Sequence, residues 1–99
     1  MPDWRKFDSM NPITDSSFQN LTKTEQVVMV MRLGRELLTR ISDNHSIHLY
    51  LLSNIFVEVW YEKETDKIIK LNTIDKQDII QNYGEMNNII HYLFEEQKL

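Results

Sequence analysis

The sequence predicts an α+β fold, a two-layer sandwich in the order helix, three-stranded antiparallel meander, helix, with the helices on one face of the sheet. Three observations predict it. An apolar stripe at helical spacing occupies the first half of the chain. A stretch rich in β-branched and aromatic residues, 47–74, follows it and is cut by two polar turns. A second helical stripe then runs toward the C-terminus. With 99 residues the chain makes a single α-β-β-β-α domain over 21–99, preceded by an N-terminal arm over 1–20.

The arm holds both prolines, Pro2 and Pro12, and a scatter of Asp, Ser and Asn without helical or strand periodicity. Trp4, Phe7, Ile13 and Phe18 make it too apolar for a plain solvated tail. It is therefore expected either to be partly disordered or to dock on a hydrophobic surface, the spare sheet face being one such surface.

The first helix opens at Thr22, with Glu25 three residues on in capping-box spacing. Val27, Val30, Met31, Gly34, Leu37, Leu38 and Ile41 form its apolar stripe. Arg32, Glu36 and Arg40, four residues apart, support the opposite face. Gly34 inside the stripe costs about 1 kcal/mol against Ala, which a close approach to the sheet accounts for. Ser42-Asp43-Asn44 ends the helix.

The meander has strands at 47–52, 55–61 and 68–73, joined by a tight turn at Ser53-Asn54 and a longer one at Glu64-Thr65-Asp66-Lys67. Val57, Val59 and Tyr61 then share a face with His48, Tyr50, Leu52 and Ile68. Phe56, Glu58 and Trp60 share the other with Ile47, Leu49, Leu51, Ile69 and Leu71. Neither face is polar, whereas an antiparallel sheet commonly keeps one face wet. Two helices, each ~10 Å across, cover one face of a sheet about 14 Å wide and leave the other. Glu58 would be penalised in a dry core, so the helices are expected over Val57 and Val59. The Phe56/Glu58/Trp60 face is left to meet a partner. A one-residue slip in either turn would reverse a strand.

Asp75 is a good N-cap for the last helix, with Asp78 at the third position. Ile79, Tyr83, Met86, Ile90, Leu93 and Phe94 keep one stripe to the C-terminus, which favours one long helix, although Tyr83-Gly84 resembles a C-cap that would break it into a short helix and a longer one; fraying is expected at Glu95 and Glu96.

Several function classes are disfavoured by composition. The chain has no Cys, which removes disulfides, thiolate metal sites and a cysteine nucleophile. A net charge of −4 opposes nucleic-acid and anionic-membrane partners. No apolar run approaches the ~20 residues that span a bilayer, and the N-terminus lacks the apolar core of a signal peptide, so a cytoplasmic location is expected. His45 and His48 form H-x-x-H across a turn-to-strand boundary, where they do not face together. Asp43 and His91 are only distant candidates to complete a metal site, and none is expected. No G-x-S-x-G or phosphate-cradling loop occurs, so no catalytic residue and no cofactor is assigned.

These readings lead to a small non-enzymatic protein-interaction module, homodimeric through the sheet face of Leu49, Leu51, Phe56, Glu58, Trp60, Ile69 and Leu71. The same face could take another protein instead. Two rivals come from other classes. One is a small-molecule-binding protein or minor enzyme with a pocket around Glu58, whose apolar ring would raise its pKa. The other, weaker, is single-stranded nucleic-acid binding by Trp60, Phe56 and Tyr50 with Arg32, Arg35 and Arg40.

Overall fold

The computed structural model of the chain describes residues 13–84. They form helices α1 (Asp15–Gln19) and α2 (Lys23–Leu33), strands β1 (Arg35–Ser42), β2 (His45–Leu52), β3 (Ile55–Glu62) and β4 (Ile68–Ile74), and helix α3 (Lys76–Asn82). The α+β class is as expected, but the antiparallel sheet has four strands in sequential order, not three.

The additional strand corrects the first helix. The capping box at its start forms as predicted: Glu25 N–H donates to Thr22 Oγ1 at 3.2 Å and Thr22 N–H to Glu25 Oε1 at 2.9 Å. The helix stops at Leu33, however, and Gly34 is its C-cap, extended at φ −76° and ψ 149°. A Cβ on Gly34 would lie 2.5 Å from the Val30 carbonyl oxygen, so this abrupt change from helix to strand suits glycine through contact. Leu37, Leu38 and Ile41, read as helix, belong to β1. Asp43-Asn44 is the tight turn into β2, with Asp43 at φ 52° and Ser42 opposite His45.

The hairpin at Ser53-Asn54 is the one predicted, with Ser53 at φ 55° and Leu52 opposite Ile55. The turn after β3 closes with Asp66 at φ 57° and Asp66 N–H on the Glu62 carbonyl at 2.8 Å. Both outer strands carry an irregularity, at Leu37 in β1 and at Ile69 in β4. The one in β4 changes a face assignment. Trp60 pairs with Lys70 and Tyr61 with Ile68, so Ile69 is the extra residue and Leu71 falls opposite Val59. Leu71 therefore lies on the Val57/Val59 face, not beside Phe56 and Trp60 as strict alternation predicted.

The helices lie over both faces, which corrects the one-sided sandwich. On the Val57/Val59 side, Met29 and Val30 of α2 pack with Ile13, Phe18, Leu52, Val57, Val59 and Leu71. Residues 13–20 of the expected arm thus dock on the main core, where Ile13 and Phe18 are buried, and not on the spare face. Buried Gln26 of α2 ties the two helices together by donating from Nε2 to the Phe18 carbonyl at 2.9 Å. On the Phe56 side, Ile79 of α3 and Tyr83 pack with Leu38, Leu49 and Phe56. Asp75 caps α3 as predicted, accepting from Asp78 N–H at 2.9 Å. The helix ends at Asn82 with Tyr83 as its C-cap, so the single helix expected to run on through Gly84 is interrupted there; Met86, Ile90, Leu93 and Phe94 lie outside the described residues, as do Pro2, Trp4, Phe7 and Pro12. No described helix is long and apolar enough to cross a membrane.

Candidate functional site

The face expected to be open is covered in large part by the chain itself. Leu49 and Phe56 are buried, Leu51 and Trp60 are half-buried, and Glu58 is only 2% exposed. Of the seven residues singled out, Ile69 alone is largely in solvent, at 49%, and Leu71 is buried on the opposite side.

Glu58 has specific partners. Strand pairing places Leu38, Leu49, Glu58 and Asn72 in one row across the sheet and Arg40, Ile47, Trp60 and Lys70 in the next. Arg40 therefore reaches diagonally to Glu58, donating from Nη2 at 3.3 Å and from Nε at 3.4 Å to Oε2. Tyr83 donates its hydroxyl to the same oxygen at 2.8 Å. The guanidinium also lies over two rings, 5.3 Å from the Tyr83 centroid and 5.5 Å from that of Trp60. Lys70 Nζ sits 4.6 Å from the Trp60 centroid. Burial, reinforced by the hydrogen bond to Glu58, pushes the Tyr83 phenol well above its ordinary value, so it stays protonated as a donor. The arrangement neutralises a buried carboxylate and leaves it little freedom for chemistry. Two cavities of about 480 and 500 Å³ open on the described residues, and Glu58 lines neither.

The first of these cavities is an apolar groove between α2 and β4, lined by Lys23, Val27, Val28, Ile68, Ile69 and Lys70 among others. It runs beside the edge of β4 that faces away from β3, an edge with no strand paired to it among the described residues. Lys23 Nζ crosses the groove and donates to the Leu71 carbonyl at 3.1 Å.

The histidines separate as the strand period requires. His45 lies by Trp60, with ring centroids 5.6 Å apart, whereas His48 stands edge-on to Tyr61 on the α2 side, at 4.9 Å. No group of three or more His, Asp or Glu close enough to hold a metal exists among the described residues. His48 instead joins Ser46 and Glu36 in a hydrogen-bonded chain. Beside it, Tyr50 is pushed up to about 12 by burial, with Tyr61 and Glu36 adding to the effect.

Sequence reasoning missed Arg40 as the partner of Glu58 and Glu36 as the partner of His48, because both were placed on a helix. No strand period marks 35–42, because the irregularity at Leu37 interrupts it; the turn formers Asp43-Asn44 ahead of β2 are the signal that could have found them. Compared with known proteins, the chain matches no family model, no curated protein and no solved structure.

Proposed function

We propose that the chain is a small protein-interaction module that takes an extended apolar segment with acidic flanks from another protein, laid along the free edge of β4 beside α2. The observation that carries this reading is the coincidence of an apolar groove with a strand edge that is unpaired among the described residues. Ile69, the exposed extra residue of β4, lies in that groove. Lys23 stands beside it, on a chain whose net charge is −4, and favours an occupant carrying Asp or Glu.

The Lys23 contact supplies a mechanism. Its ammonium occupies the Leu71 carbonyl, as an N–H of an added strand would. An incoming segment replaces that donor and frees Lys23 to pair with a flanking carboxylate.

A second copy is the less favoured occupant. Joining β4 to β4 would bring Lys70 of both copies onto one short ladder, where like charges repel. Homodimerisation through the Phe56/Glu58/Trp60 face is not carried forward, because Leu49, Phe56 and Glu58 are already buried within one chain.

The test is an amide NMR titration with two capped peptides that share an Ile-Val-Ile centre, one flanked by Glu and one by Lys. The acidic peptide is expected to shift the amides of Ile69, Leu71 and Thr73, with the response lost in Ile69→Glu. Equal responses to both peptides, or shifts that map to another surface, would overturn the reading.

A further inference from the structure

Ser46, His48 and Glu36 form a relay on the α2 side of the sheet that shares no residue with the groove. Ser46 and His48 are two apart on β2 and so point to the same face. Ser46 Oγ lies 2.9 Å from His48 Nε2, and His48 Nδ1 is hydrogen-bonded to Glu36 Oε1. Thr39 Oγ1 donates to the same Glu36 oxygen at 3.1 Å. The Tyr61 ring, edge-on to the imidazole, limits its rotation. The hydrogen bond from His48 is the foremost cause that holds the Glu36 carboxyl below its ordinary range, so Glu36 is ionised near neutrality. An ionised carboxylate only accepts, which places the imidazole proton on Nδ1 and leaves Nε2 as the acceptor for the Ser46 hydroxyl. The relay is reachable from solvent, with the His48 side chain 26% exposed and that of Glu36 46%.

We propose that Ser46 is a nucleophile activated by His48 as general base, with Glu36 as a positioning residue, and that it accepts acyl groups from donors with good leaving groups. In the step, Ser46 Oγ bonds to the donor's carbonyl carbon while the hydroxyl proton passes to His48 Nε2. The bond from that carbon to the leaving group then breaks, the leaving group departs with the electron pair, and the imidazolium returns its proton to it or to water. Water can later cleave the acyl-serine by the same route in reverse.

The surroundings set the range of donors. Ser46 lies between Ile41 of β1 and Tyr61 of β3 in the sheet, so its backbone groups face paired strands on both sides. It has no free N–H of its own to receive a developing oxyanion. Aryl esters and thioesters are therefore expected to react, and amides are not.

The test uses the full chain and diisopropyl fluorophosphate, in which the Ser46 Oγ–P bond forms, fluoride leaves and the hydroxyl proton passes through His48 to water. A single adduct is expected at Ser46 by peptide mass spectrometry, absent in Ser46→Ala. The labelling rate should fall on the order of 100-fold in His48→Gln, with a smaller loss in Glu36→Gln. Circular dichroism checks that each variant is folded. If His48→Gln does not fold, His48→Asn and Glu36→Gln decide. Labelling no faster than that of the urea-unfolded chain, an adduct on a tyrosine in place of Ser46, or an unchanged rate in a folded His48→Gln would each overturn the proposal.

Discussion

The two faces of the sheet are built on different physics. Under α2, Leu52, Val57, Val59, Met29 and Val30 are fully buried and make an apolar core held by area and close packing. Under α3 the centre of the sheet is a charged cluster, in which Arg40, Tyr83 and Glu58 meet among aliphatic residues. The second face also leaves the buried Trp60 Nε1 and Asn72 Oδ1 without a hydrogen-bond partner among the described residues, against Gln26 Oε1 alone on the α2 side. Burial by itself therefore does not distinguish them. The apolar face gains stability from being dry, whereas the charged one must first recover the solvation its ions have lost.

Substitutions can break this contrast. The largest effect is expected from Leu52→Ala, a loss of about 3–4 kcal/mol, because a fully buried leucine leaves a cavity the sheet can only partly fill. Urea unfolding should show that loss to be independent of pH. Arg40→Met strands the Glu58 carboxylate and is expected to cost about 3 kcal/mol, the low end for a broken buried pair, since the Arg40 side chain remains 21% exposed. Adding Glu58→Leu to that variant should restore much of the loss in the same assay, and failure to do so would mean that the two faces are not different in kind. The smallest effect concerns the rim of the α2 face. The Glu36 carboxyl is held below its unfolded value, chiefly by His48, so its contribution is present above the ordinary carboxylate range. The contribution is lost as pH falls through the depressed value, and Glu36→Gln should flatten this part of the acid limb of stability against pH.

How far the sequence foretells this arrangement differs between the two sides. The β2–β3 hairpin was legible because Ser53-Asn54 interrupts two clear strand patterns. Of the two helices expected over Val57 and Val59, the first lies there and the last covers the opposite face. The segment 35–42 is not legible in the same way, since Leu37, Leu38 and Ile41 continue the helical phase of Val27, Val30 and Met31 and do not alternate. Gly34 is compatible with either reading, and tertiary pairing with β2 decides between them. Reading Arg40 on a helix hid the partner of Glu58, and from that followed the expectation of a face left for another molecule. The irregularity at Ile69 has no signature in composition. An extra residue changes neither hydrophobicity nor turn chemistry, yet it moved Leu71 across the sheet.

The sequential strand order also bears on how the chain is made. Each strand pairs with its immediate successor, so the sheet can grow as residues leave the ribosome, with short loops to close at every step. The helices before it have no such neighbour. Ile13 is anchored to Ser53, Lys23 to Leu71 and Gln19 to Thr73, across 40, 48 and 54 residues. The cover on the apolar side of α2, begun by Leu52, Val57 and Val59, is therefore completed only when β4 supplies Leu71. Before that point the nascent chain leaves the side of Met29 and Val30 that meets Leu71 uncovered, an apolar surface of the kind that favours association.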